Sequence, residues 1–285
     1  MSSNTERVET IGVLIGDLLA DVSVRIWQAE NAKSSVVCVH GFAGTSNDFA
    51  PLAETLVKSG ISVIAPDMFG RGSSTFFLDA RHYTLRVQLL ALAITKRYQM
   101  PNNCFLGTSW GGLMTLAYVA SIGWETKGVI LNDCPIQANS TVQGFRAQLT
   151  EEAVKVFETR EEAAQYVLSS RAMDFLDGPW RARFIESRIL KVADKWRLNY
   201  DPALADTLRT NAPFSVEELL KEARRPVLMS FGTQSPYVVD PLNDEIAQAN
   251  PNITLLKSMS DPHPPSLMKN DQILTIAGFL ARCLG

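Results

Sequence analysis

Asn103-Cys104-Phe105-Leu106-Gly107-Thr108-Ser109-Trp110-Gly111-Gly112 is the stretch that decides the fold. Within it, Gly107 to Gly111 match the pattern G-x-S-x-G. At average glycine and serine usage the bare pattern arises by chance in roughly one chain in ten of this size, so its setting carries the reading. Before it stands the apolar run NCFL, of strand character, and after it the helical run GLMTLAYVA. A serine at a tight strand-to-helix turn sits in strained backbone, and glycines two before and two after let neighbouring main chain pass close by. The hydroxyl is thereby presented at the sheet edge, with the N-terminal N–H groups of the next helix aimed at charge that develops there. A glycine-rich helix start with a capping serine is the plainer reading, and the histidine identified below sets it aside.

Outward from this turn, apolar runs of strand length alternate with segments of helical period, the pattern of a largely parallel sheet covered on both faces. The strand candidates are Ser35–His40, Ser62–Ala65, Cys104–Gly107, Gly128–Asn132, Pro226–Phe231 and Ile253–Lys257. Two earlier runs, Glu9–Leu14 and Val22–Gln28, lie close together without a helix between them and predict an antiparallel edge pair. Helices are expected at about Phe49–Lys58, Tyr83–Arg97, Trp110–Ala120, Val216–Glu222, Asp244–Gln248 and Leu267–Leu284. From Cys134 to about Pro213 no strand is predicted, and the stretch is rich in Ala, Glu, Arg, Gln and Leu. It reads as inserted helices, residues 135–213, that overhang the edge where open α/β sheets bind ligands. The core is then 1–134 and 214–285.

The 285 residues suffice for one large domain, and with 46% apolar and 20% charged residues the chain is of ordinary globular composition. A net charge of −3, a sequence pI near 5.7 and the lack of any Lys/Arg-rich run argue against nucleic acid and anionic lipid as partners. A polar N-terminus and the lack of any apolar stretch near the ~20 residues of a membrane span predict a soluble cytoplasmic protein, bound to no membrane. Cys38, Cys104, Cys134 and Cys283 show no C-x-x-C spacing and read as reduced, mostly buried thiols.

Three histidines are available as a base. His40 ends a strand in His40-Gly41-Phe42, and there it is expected to orient the loop by hydrogen bonding while the Phe42 N–H pairs with that of Trp110 to bind an oxyanion. His82 precedes a helix and reads as a surface or capping residue. His263 lies in Ser260-Asp261-Pro262-His263-Pro264-Pro265, a proline-stiffened loop between the last strand and the last helix, and is the expected base.

VVCVHGFAGTSNDF (36–49), VIAPDMFGRGSS (63–74), FLGTSWGGLMTLAYVA (105–120) and VILNDCP (129–135) together resemble the blocks of the α/β-hydrolase superfamily, in order and at ordinary spacing. The likeness is nearest to its lidded ester, amide and carbon–carbon bond hydrolases, and it extends through RLNYDPALA (197–205). It implies an α/β-hydrolase fold with a helical lid after the strand that follows the nucleophile helix. It also implies hydrolysis of a small carboxylic ester, amide or lactone through an acyl-enzyme, with a small molecule as partner and neither cofactor nor metal. Hydrolytic carbon–carbon cleavage of a β-diketone-like substrate, or ligand binding without turnover, are the alternatives.

The chain departs from the family after PVLMSF, where Gly232-Thr233-Gln234-Ser235-Pro236 puts Pro236 at the usual position of the acid. Asp133 and Asp240 are the substitutes. Asp133 is preferred because its strand follows the nucleophile helix directly and, by right-handed crossover, should lie beside the nucleophile strand. Some superfamily members carry their acid after this strand. Asp240 is expected to cap the next helix, and Asp67 to fix the turn through Gly70 and Gly72. Substrate contacts are expected from Tyr237 and from Trp180, Arg181 and Phe184. Arg181, Phe184 and Arg188 share one helical face, on which an arginine could hold a substrate carboxylate.

Overall fold

A computed structural model describes residues 5–137, 140–209 and 213–285. The main sheet has eight strands: β1 (Thr5–Ile15), β2 (Leu18–Gln28), β3 (Ser34–Val39), β4 (Ile61–Pro66), β5 (Asn102–Thr108), β6 (Gly128–Asn132), β10 (Val227–Gly232) and β11 (Ile253–Met259), in the spatial order β1-β2-β4-β3-β5-β6-β10-β11. β2 pairs antiparallel with both of its neighbours, and every pairing from β4 to β11 is parallel. Between the strands run α1 (Ala50–Lys58), α2 (Leu85–Ile94), α3 (Trp110–Ser121), α8 (Val216–Lys221) and α9 (Pro241–Ala249), and α10 (Asn270–Leu284) follows the last of them.

The period-2 alternation of the strands separates the two faces of the core. Val37, Val39, Phe105 and Val129 point into the layer under α2, α3, α8 and α9. Val36, Cys38, Cys104, Leu106 and Ile130 point into the layer under α1 and α10. Phe105, Leu106, Leu52 and Leu56 are fully buried, each such side chain contributing about 1.5–3 kcal/mol by leaving water. All four cysteines are free thiols, and Cys283 alone of them is only half-buried. Among the described residues no helix is long and apolar enough to cross a membrane.

The interval between β6 and β10 carries α4 (Ser140–Ala153), α5 (Arg160–Ser170), α6 (Gly178–Arg188) and α7 (Leu204–Thr207). It also holds a three-stranded antiparallel sheet of β7 (Val156–Phe157), β8 (Ile189–Val192) and β9 (Lys195–Leu198), in the order β7-β9-β8. The expectation of a strand-free interval is thus corrected. The β8–β9 hairpin turns at Ala193-Asp194 with Ala193 at φ 52°, a conformation that glycine or asparagine usually signals, so its sequence reads as continuing helix. Within the expected insertion 135–213, residues 138–139 and 210–212 lie outside the described residues. After β9 the chain returns to the core: the Gly72 N–H donates to Asn199 O (3.3 Å) and the Asp201 N–H to Gly70 O (2.8 Å).

Candidate active site

The carboxyl ends of β3, β5 and β6 converge on Ser109. Its backbone lies at φ 51°, ψ −120°, which costs a β-carbon residue on the order of 1–3 kcal/mol and persists only where the surroundings impose it. Here they do so through main-chain bonds: the Ser109 N–H donates to Asn132 O (2.8 Å), and the Gly112 N–H donates to Ser109 O (2.9 Å). The flanking glycines are required by close approach. A Cβ on Gly107 would stand 2.5 Å from Gly111 O, and one on Gly111 would stand 2.3 Å from His40 O.

His263 reaches the same point from the loop after β11. Its Nε2 lies 3.1 Å from Ser109 Oγ. The Asn132 side-chain amide pins this loop to the sheet by donating to Pro265 O (2.9 Å) and to Thr108 Oγ1 (3.2 Å). The imidazole side chain is 8% exposed. The Tyr237 ring stands edge-on to it at 4.7 Å and the Phe145 ring at 4.8 Å.

Asp133 follows β6, buried and at φ 57°. Its Oδ1 accepts from the Ser235 hydroxyl (2.6 Å) and its Oδ2 from the Gly232 N–H (3.4 Å). Oδ2 also faces His263 Nδ1 at 3.5 Å. That separation is beyond a well-formed hydrogen bond, and Nδ1 has no other acceptor among the described residues. Asp240 instead caps α9, accepting from the Leu242 N–H (3.1 Å). The loop after β10 thus carries no acid toward the imidazole; its Ser235 braces the carboxylate that β6 supplies.

His40 is fully buried, with Nδ1 2.8 Å from Gly41 O and Nε2 accepting the Met68 N–H at 3.0 Å. Both ring nitrogens are occupied by main chain, and burial holds its pKa down to about 3. It orients the loop as the neutral imidazole. Asp67 accepts from the Ser46 and Ser73 N–H groups at 2.7 and 3.0 Å and so fixes the Gly70–Gly72 turn. The main-chain N–H groups of Phe42 and Trp110 have no acceptor among the described residues. Behind the serine, burial pushes the Cys134 thiol up, and its Sγ sits 3.3 Å from Ser109 O.

A cavity of about 700 Å³ opens over this cluster. Ser109, His263, Phe42, Trp110 and Tyr237 form its floor. Leu113 and Met114 of α3, Val142, Phe145 and Leu149 of α4, and Leu204 and Leu208 line its walls, with Arg81, Arg146 and Asp206 among the polar groups. Trp180, Arg181 and Phe184, expected as substrate contacts, do not line it. Phe184 is buried under the Arg188 guanidinium, 4.9 Å from its ring, and Arg181 donates to Leu176 O (3.3 Å). The partly buried Trp180 packs into the hydrophobic core, its ring 6.0 Å from the Arg183 guanidinium. Spacing on one helical face says that these residues turn the same way, not which neighbour they meet. Here α6 docks on the loop after β3: Arg183 donates to Asn47 Oδ1 (2.8 Å), and Arg188 bonds to Ala43 O and pairs with Asp48 (2.7 Å). The wall that the sequence reading missed is α4, although Val142, Phe145 and Leu149 at i, i+3 and i+7 do mark an apolar face.

The family model described as alpha/beta hydrolase fold matches residues 34–265. The chain belongs to this family. A 3-hydroxybutyrate-oligomer hydrolase of Cupriavidus necator is 26% identical, over 84% of this chain and 85% of that one. A proline iminopeptidase of Thermoplasma volcanium is 31% identical over 38% of this chain and 37% of that one. The solved structure of an alpha/beta hydrolase from Novosphingobium aromaticivorans matches with a TM-score of 0.77 at 21% identity, covering 96% of this chain and 98% of that one. The chain is a hydrolase of the α/β fold.

Proposed function

We propose that this hydrolase cleaves small aliphatic carboxylic esters, short hydroxy-acid oligoesters among them, through an acyl-enzyme on Ser109. The observation that carries the reading is the 3.1 Å approach of His263 Nε2 to the hydroxyl of a serine held at φ 51° on the floor of a largely apolar cavity. His263 takes the hydroxyl proton as Ser109 Oγ bonds to the acyl carbon. The resulting oxyanion accepts from the Phe42 and Trp110 N–H groups. The imidazolium, steadied by the Asp133 carboxylate, returns the proton to the leaving alkoxide as the carbon–oxygen bond breaks, and water repeats the sequence to free the acid. The likeness to the hydroxybutyrate-oligomer hydrolase supports the hydroxy-acid ester class.

The insertion 135–213 acts as a lid. Its helix α4 supplies Phe145 both to the cavity wall and to the edge of the His263 ring, which supports this role. A fluorophosphonate probe combined with a panel of p-nitrophenyl esters and a 3-hydroxybutyrate dimer tests the proposal. Labelling at Ser109 and turnover that both vanish in Ser109→Ala are the expected result. Folded wild-type protein that neither labels nor turns over any of these esters would remove it.

A further inference from the structure

Arg71, in the turn after β4, is fully buried. Arginine is almost never fully buried without a paired anion, yet no carboxylate lies within ion-pair distance of it among the described residues. Its Nε donates to Phe42 O and its Nη1 to Phe69 O, both at 2.9 Å. The guanidinium lies 4.2 Å from the centre of the Trp110 ring and 4.8 Å from that of Phe42. The two rings meet edge-on at 6.1 Å.

Phe42 and Trp110 are the residues whose N–H groups receive the oxyanion in the proposed mechanism. One buried cation therefore touches both of them. The carboxylate that influences it, after the Tyr83 and Tyr200 hydroxyls, is Asp201, already engaged by the Tyr83 hydroxyl (2.5 Å) and by the Leu78 and Ala203 N–H groups at 2.6 and 2.9 Å. Carbonyl dipoles and ring faces compensate a desolvated cation only in part. Burial accordingly draws the Arg71 pKa down to about 9. The backbone around it is held where the insertion returns to the core, through the Arg71–Tyr200 bridge and the Asp201 N–H bond to Gly70 O.

We propose that Arg71 is a positioning residue of the oxyanion site, fixing Phe42 and Trp110 and placing an unneutralised positive charge behind their N–H groups. In the resting protein no described carboxylate lies within ion-pair distance of the charge. It gains an anionic partner when the tetrahedral oxyanion forms, so its influence falls on the transition state more than on bound substrate. One unit charge acting across a few ångströms of protein, in an effective dielectric near 20, corresponds to roughly a 10- to 100-fold change in rate.

The inference rests on the acyl-transfer reading, and the rate of Ser109 phosphonylation by a fluorophosphonate separates the two. Wild-type protein that is not labelled removes that reading. Labelled wild type with an Arg71→Met variant labelled within threefold of it removes this inference alone. The expected result is phosphonylation slowed ~10- to 100-fold in Arg71→Met. Affinity for a trifluoromethyl ketone, which forms an anionic adduct with the serine, should fall by the same factor. Affinity for the uncharged, unreactive alcohol analogue should stay within about twofold, and Arg71→Lys should recover most of the loss. Equal losses for the anionic and neutral ligands would mean packing alone and overturn the proposal. If Arg71→Met does not fold, Arg71→Lys and Arg71→Gln decide the question, and equal phosphonylation rates in those two overturn it.

Discussion

Replacing Asp133 by asparagine removes one charge from the cluster while keeping its shape. The Ser235 hydroxyl can still donate to the remaining carbonyl oxygen, so the loop after β10 stays in place. What is lost is the attraction between the carboxylate and the imidazolium that forms during acyl transfer. At the observed 3.5 Å between Asp133 Oδ2 and His263 Nδ1, two unit charges in an effective dielectric near 20 attract by about 5 kcal/mol, or roughly 3 × 10³ in rate. The amide adds a second defect, since its N–H₂ group faces Nδ1 and favours the tautomer that places the proton on Nε2, where the serine needs an acceptor. Together the two effects set the expected loss in kcat at 10³ to about 10⁴. Asp240→Asn changes a helix cap for one of equal quality, and its kcat should remain within about threefold of wild type. The assay is steady-state hydrolysis of a p-nitrophenyl ester, with circular dichroism and a thermal melt for each variant. A folded Asp133→Asn within tenfold of wild type beside a crippled Asp240→Asn would refute the reasoning.

Ser109→Ala and His263→Ala should each lower kcat by several orders of magnitude, and because the two act as a unit the double variant should lose little more; additive losses in a kinetic cycle would count against the pair. The depressed pKa of His40 predicts acid sensitivity. The folded state refuses a proton that the unfolded chain accepts below about pH 6.5, so stability is whole above that pH and is lost as pH falls toward 3. Between about pH 6.5 and 4.5, urea titration should show wild type losing roughly 2–3 kcal/mol more than His40→Gln, and equal losses would contradict the buried neutral imidazole. Burial raises Asp48 and Asp67 in the opposite sense, but these act in both proteins and cancel in the comparison. Phe145→Ala should raise KM about tenfold, whereas Arg181→Ala should leave it within about twofold because that side chain does not reach the cavity. A larger effect at Arg181 would place the cavity wall on α6.

The elements legible in the sequence are those fixed by short-range rules. Two alternating runs and six short apolar runs located the strands of the main sheet to within a few residues, and Gly128–Asn132 coincides with β6. The elbow could be read because glycine spacing and strained serine geometry are local properties. The placement of Asp133 at the sheet edge beside Ser109 could be read because right-handed crossover makes β6 the neighbour of β5, a topological rule independent of side-chain detail. The insertion resisted for the opposite reason. β7 has only two residues and pairs with β9, nearly forty positions later in the chain, so no local pattern announces it. The apolar faces of α4 and α6 look alike in sequence. Which one covers Ser109 depends on how each helix docks, and for α6 that was settled by Arg183 and Arg188 finding partners on the Ala43–Asp48 loop.

The seating of the Asp133 carboxylate after β6 leaves the segment after β10 with no carboxylate to hold against His263. That segment contributes Tyr237 to the cavity floor, where its ring stands edge-on to His263 at 4.7 Å, and its Ser235 hydroxyl donates to Asp133. Tyr237 therefore touches both the acyl cavity and the His263 ring, so varying it retunes which acyl group fits together with the packing of the imidazole, while Asp133 stays on its own strand. Libraries at Tyr237, with Ser235 and the Asp240 cap retained, would change the cavity without displacing the Asp133 carboxylate, a separation not open to a scaffold that carries its carboxylate in that same loop.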